Sequence, residues 1–283
     1  MMRCLRGPSG SQSAATILHQ IGDGEFPQAC ALSRSPHALS ARIAIVAGQD
    51  TEVLKEENLM IRRLHVPLLK PEDVIPHLAK QELHWKAGYS AQELAVAWAS
   101  SRNDFPEVVR KVLATAPEYA EAEMIDGFFE REVELGSPGR NSQTDLMVVA
   151  GLRDELGIIA VEGKVEESFA DLVSDWNTSS GKQGRLELLC ECLGVSPAEV
   201  GSVRYQLLHR AASAIYEAKR YRARHALMLI HSFSPTHRWF EDFAAFSCAM
   251  GQALQTPGVC SAPKVCEGVS LRLGWVADVC RAV

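Results

Sequence analysis

The sequence predicts a mixed α/β domain, and three observations carry that prediction. Between residues 129 and 165 the apolar pattern takes the period of strands in three successive segments joined by short turns. Beyond them, helical patterns alternate with two further apolar strand-like runs, at 226–233 and 269–276. The composition is that of an ordinary globular chain, 283 residues with 47% hydrophobic and 23% charged, which excludes disorder, collagen and coiled coil and leaves ample core. The expected architecture is a three-strand meander, a helix crossover and further strands in one mixed sheet, flanked by helices.

The elements follow in order. Pro71 opens a short helix over 71–80, with Glu72 and Asp73 in its first turn. Ser90 is expected to cap a second helix, with Ala91, Leu94, Ala95 and Trp98 on one face, and Pro106–Ala116 forms a third that Pro117 ends. In the first strand Phe129, Val133 and Leu135 alternate with Glu130, Glu132 and Glu134, giving an acidic face. Gly136–Gly139 is a turn, Thr144–Leu152 a second strand, and Ile158–Val165 a third. Helices are expected at Ser168–Trp176 and at Arg185–Leu193, the latter closed by Gly194, with Asn177–Gly184 a polar loop between them. Ser202–Tyr221 is the longest helix, Ala226–Phe233 a strand buried on both faces, Arg238–Met250 an amphipathic helix and Val269–Val276 the last strand.

Residues 1–59 lack such patterning, apart from a possible strand at Ala41–Val46. They are expected to form a weakly ordered extension before one domain at 60–283, with Met60 a reasonable start. No apolar h-region marks a targeting signal, and no run approaches the length of a membrane span, so a cytoplasmic setting away from membranes is expected. The eight cysteines show no C-x-x-C spacing and read as idle thiols. The net charge of -6 excludes a wholly basic nucleic-acid coat but allows local patches.

The chemistry concentrates in the second and third strands. Glu162 and Lys164 stand two apart in Ile158-Ile-Ala-Val-Glu-Gly-Lys-Val165, so both project from one sheet face. Charges after four apolar residues are costly to bury unless paired or metal-bound. Asp145 is the single acid of Thr144-Asp-Leu-Met-Val-Val149, and hairpin pairing would bring it beside Glu162. Adjacent carboxylates repel unless a cation sits between them, and Mg²⁺ suits one or two carboxylates completed by waters. Gly163 leaves the opposite face open to close packing.

An acid on one strand followed by Glu-x-Lys on the next resembles the PD-(D/E)XK phosphodiesterase superfamily, which has a restriction-endonuclease-like fold. The order helix, three-strand meander, helix, strand over about 90–235 matches its core. Trp85-Lys-Ala-Gly-Tyr-Ser-Ala91 and Ser142-Gln-Thr-Asp145 point to an uncharacterised bacterial branch. The resemblance implies Mg²⁺- or Mn²⁺-dependent hydrolysis of nucleic acid, DNA before RNA, with a homodimer as one possible assembly. Asp145 and Glu162 would bind the metal and Lys164 would assist the attacking water. It further implies a supporting polar residue on the following helix, for which Gln206 is the candidate, and a glutamate from the first core helix, for which Glu93, Glu107, Glu118 and Glu121 compete. Thr144 stands where the motif has proline.

The segment Arg204–Arg224 carries six Arg or Lys against one Glu, and a basic helix beside an acidic site would suit a phosphate backbone. The plain alternative is a solvated amphipathic helix. No nucleophile elbow, dinucleotide fingerprint or P-loop is present; Ser179-Ser-Gly-Lys-Gln-Gly184 only superficially suggests a phosphate loop. The competing function is a catalytically silent relative that binds nucleic acid or a protein partner.

Overall fold

The computed structural model describes His65 and residues 70–78, 81, 85–101, 104–136 and 139–281. The expected extension at 1–59, with its strand at Ala41–Val46, lies outside the described residues.

Six strands form one sheet: β1 (Glu123–Val133), β2 (Ser142–Leu152), β3 (Glu155–Lys164), β4 (His225–Ser232), β5 (Lys264–Cys266) and β6 (Val269–Ala277), in spatial order β1-β2-β3-β4-β6-β5. The first three make the expected antiparallel meander. A helical crossover then returns the chain to lay β4 parallel to β3, and a second lays β6 parallel to β4. The short antiparallel edge strand β5 is absent from the sequence reading. The mixed α/β class is therefore the one observed.

Helices cover both faces. α1 (Ser90–Ala99), α2 (Glu107–Leu113) and a 3₁₀ turn at Pro71–His77 pack over Leu146, Val148, Ile159, Val161, Leu227 and Leu229. On the other face lie α4 (Ser180–Leu193), α5 (Tyr205–Tyr221) and α6 (Phe240–Ala249), over Met147, Val149, Ile158, Ala160, Met228 and Ile230; a single turn, α3 (Val173–Trp176), precedes them. The central strands are apolar on both sides because both sides are roofed. Ala211, Ala214 and Ala218 sit fully buried on α5, letting this helix approach the sheet closely.

The differences from expectation have local causes. Only the last turn of the expected 168–176 helix forms, because Leu172 makes an antiparallel bridge with Arg204 and Ala170 takes φ +60°. Five of the eight residues of the expected 177–184 loop are helix: Ser179 accepts the Lys182 N–H and caps α4 five residues early. Ser90 is the first residue of α1 rather than its cap, and its N–H donates to Glu167 (3.0 Å). Among the described residues no helix is long and apolar enough to cross a membrane, and Cys190, Cys192, Cys248, Cys260, Cys266 and Cys280 are free thiols.

Candidate active site

The sheet forks where the chemistry lies. β2 and β3 pair from Leu152–Glu155 as far as Leu146–Val161 and then part: β2 continues along β1 to Ser142, β3 continues along β4 to Lys164. The fork leaves the Gly163 N–H without a ladder partner on the β2 side, and the Asp145 carboxylate takes it (2.9 Å). Asp145 stands on one arm, Glu162 and Lys164 on the other. All three face α5, since Met147 and Ala160, two residues along each strand, belong to the core on that side. On the opposite face Gly163 lies under α1; a Cβ there would stand 3.3 Å from the Ser90 carbonyl oxygen.

α5 fills the fork. Gln206 Nε2 donates to Glu162 Oε1 (2.7 Å), as does Lys164 Nζ (2.8 Å), and Arg210 Nε donates to Glu162 Oε2. The Arg210 guanidinium also donates to Ser142 Oγ (2.9 Å) and lies 4.0 Å from Asp145 Oδ1. It is thus a buried cation shared by the two acids. Ser142 Oγ also pairs with His209 Nδ1 (2.9 Å), and burial, with Arg210 beside it, holds the His209 pKa well below its usual value. Gln206, the candidate supporting residue, thus bonds the glutamate of the Glu-x-Lys strand.

A third acid joins them. Glu130 sits between Phe129, which faces Leu146, and Arg131, which faces Thr144, so it is level with Asp145. Its φ of +52° breaks the strand's alternation, and its carboxylate accepts from Gln143 (2.8 Å) inside the same cleft. The strict alternation expected for this strand would have left Glu130 on a common acidic face with Glu132 and Glu134. No signal short of the backbone kink distinguishes it from them. The four glutamates weighed for the first core helix lie elsewhere. Glu93 accepts from the backbone of Gly88 and Arg281, Glu107 pairs with Lys111, Glu118 with Arg272 and Glu121 with Arg153.

The charges are unequal. Burial would raise the Glu162 carboxyl, but Arg210 and Lys164 outweigh it and hold Glu162 at about 2. Asp145 is pushed up to about 7 by burial and by the Glu162 charge, and Glu130 to about 9 by burial, Asp145 and Glu162. The cleft thus sets three carboxyls against two cations, and the two raised ones hold their protons more readily than Glu162 does. Among the described residues no group of three or more His, Cys, Asp or Glu side chains could hold a metal ion. Mg²⁺ asks for only one or two carboxylates with waters, and Asp145 beside Glu162 fits that demand.

The acid cleft, of about 300 Å³, is also walled by Tyr89, Ser90 and Glu167. It shares Gln143, Gln206 and Arg210 with a larger cleft of about 1000 Å³ that runs between the start of β2, the start of α4 and α5. Three cations of the 204–224 run line neither: Lys219 pairs with Glu267, Arg220 with Glu217 and Arg224 with Glu155, at or just beyond the far end of α5. Only Arg210 of that run reaches the site.

No curated protein and no solved structure matches the chain. The model of a family described as a domain of unknown function, DUF6946, matches residues 67–280, which include the whole sheet and both clefts, and the chain belongs to that family.

Proposed function

We propose that the protein is a metal-dependent nuclease of the PD-(D/E)XK type, hydrolysing phosphodiester bonds at the fork between β2 and β3. The observation that carries this reading is the convergence of Asp145, Glu162 and Lys164 in one cleft, where Arg210 is shared by the two acids and Asp145 has no closer cation. Asp145 and Glu162 would hold Mg²⁺ or Mn²⁺. When bound, such an ion supplies Lewis-acid polarisation of a phosphoryl oxygen. The chain's own residues do the rest. Lys164, fixed by Glu162, is placed to orient a water or to balance charge on the phosphorus centre. Gln206 holds Glu162, while its own Oε1 is buried without a partner and can accept from that water. Glu130 stands within the same cleft as a carboxyl able to release a proton when cationic charge arrives.

The test is cleavage of DNA and RNA with Mg²⁺ or Mn²⁺. Asp145→Ala and Lys164→Ala should each abolish it, and full activity in both would remove these residues from the mechanism.

One observation favours a second reading, a silent nuclease-like protein that binds nucleic acid or a protein partner. Arg210 already occupies the position between the two acids. In that case Mn²⁺ should leave the melting temperature unchanged, whereas the hydrolase reading expects a rise in the parent that is lost in Asp145→Ala.

A further inference from the structure

The larger cleft has a lining unlike the chain as a whole. The protein carries a net charge of -6, yet the walls of this cleft contain Arg140, Lys182, Arg185 and Arg210 and no Asp or Glu. Its lining is partly aromatic: Trp176 and Tyr205 stack on each other, with ring centroids 3.6 Å apart and planes within 10°, which leaves each ring one outer face. Lys182 Nζ lies 5.3 Å from the centre of the Trp176 ring, and Arg185 Nε donates to the Tyr205 hydroxyl (2.8 Å). Helix α4 begins at its rim, with Ser179, Gly181 and Gly184 in the lining. A Cβ added at either glycine would meet nothing within 4 Å, so both face open space.

Cations around a stacked aromatic pair select a ligand that is both anionic and planar. Phosphates reward Lys and Arg whatever the sequence, and aromatic rings offer a stacking surface to a nucleobase. A base within a duplex has both faces covered by its neighbours, so only an unpaired nucleotide can bring a face into a concave site of this kind. The volume lies at the upper end of small-molecule sites, with room for a nucleotide and its flanking phosphates. We propose that this cleft binds single-stranded nucleic acid, an unpaired base extending the Trp176–Tyr205 stack at an outer face and the flanking phosphates held by Arg140, Lys182 and Arg185. The shared wall of Gln143, Gln206 and Arg210 leads that strand toward Asp145 and Glu162. The direction of the strand rests on the proposed phosphodiester chemistry of the acid cleft, whereas the binding itself does not.

The experiment measures affinity of the full chain, in EDTA, for a fluorescein-labelled oligonucleotide offered as single-stranded DNA, as single-stranded RNA and as DNA duplex. Either single strand should bind at least tenfold more tightly than the duplex, and comparison of the two identifies the sugar. With three phosphate contacts, affinity for the single strand should fall about 20-fold between 50 and 200 mM salt, and only about threefold in the Arg140→Glu, Lys182→Glu double variant. Trp176→Ala should weaken binding roughly tenfold. Duplex bound as tightly as single strand, or parent affinity in the double variant, overturns the inference. Cleavage separates the two proposals. A parent that binds single strands as described but cuts nothing with Mn²⁺ sinks the hydrolase reading and upholds this one. A parent that cuts, with a double variant of unchanged affinity and KM, does the reverse.

Discussion

Arg210→Met removes the charge that the fork is built around. Arg210 is 8% exposed, and its guanidinium bonds Glu162 and Ser142 and lies 4.0 Å from Asp145. At that separation one unit-charge pair is worth about 4 kcal/mol at an effective dielectric near 20. Glu162 would keep Lys164 and Gln206, but Asp145 would keep only the Gly163 N–H. Removing one partner of a buried pair costs about 3–5 kcal/mol, and we expect a loss in that range, since Met fills most of the volume and little cavity term is added. This is a large share of the roughly 5–15 kcal/mol that holds a domain together. The measurement is urea unfolding near neutral pH in EDTA, followed by circular dichroism. The double variant Arg210→Met, Asp145→Asn should recover much of the loss, because Asp145 is the carboxylate that Arg210→Met leaves without a cation. If the hydrolase reading holds, Mn²⁺ should restore more stability to Arg210→Met than it adds to the parent, because the ion takes over a role the parent already fills. A loss below about 1 kcal/mol in EDTA would refute the claim that this guanidinium balances the acids.

Two further outcomes test the frame around the site. His231 is buried, with Nδ1 accepting from the Trp98 indole (3.2 Å) and Nε2 facing Asp278 (3.1 Å); burial depresses its pKa despite Asp278, so the folded state disfavours the proton that the unfolded chain takes up below about 6.5. Stability should therefore fall as pH drops through that value toward the lower folded pKa, and melting temperatures of His231→Gln should lose that part of the slope; an unchanged slope would refute it. Gly163→Ala would press a methyl to 3.3 Å from the Ser90 carbonyl oxygen and 3.5 Å from Leu94 Cβ, and should cost about 1–2 kcal/mol in urea unfolding by lifting α1 from β3. A neutral result would mean that α1 does not fix the position of β3 at the fork.

What the sequence discloses about this site follows from which contacts are local. Glu162 and Lys164 share a face by the two-residue period alone, and Gln206 and Arg210 share one by a single helical turn. The opposition of Asp145 to Glu162 depends only on the tight turn at Arg153-Asp154, which pairs Leu152 with Glu155 and carries the register back along both strands. The rest depends on tertiary structure. The positive φ of Glu130 hides it among the exposed acids of its strand, and nothing in the 204–224 run marks Arg210 as buried and its fellow cations as paired elsewhere. The start of α4 was legible in principle, since Ser179 is a good cap, but two glycines in the next five residues weigh toward a loop. At 168–176 the apolar spacing is helical, and the bridge between Leu172 and Arg204 overrides it.

The fork itself explains why acids, rather than any other residues, meet here. Once β2 leaves β3, main-chain donors on the inner edge need acceptors, and Asp145 supplies one from a side chain because the partner strand no longer can. A carboxylate bound for that reason is then drawn beside Glu162, whose place is fixed by pairing of β3 with β4. Two acids so placed demand a cation, and α5 brings Arg210 to them from the core side, leaving the solvent side to the cleft. Whether a divalent ion joins Arg210 therefore turns on Asp145 and Glu130, the two carboxyls that burial and the neighbouring acids push up and that would give up protons to a cation. The same residue that stabilises the fork, Arg210, forms part of the wall shared with the cation-lined cleft. A strand entering over Trp176 would reach the acids along the one wall where positive charge is already fixed, so the repulsion between phosphate and carboxylate is relieved at the point of contact.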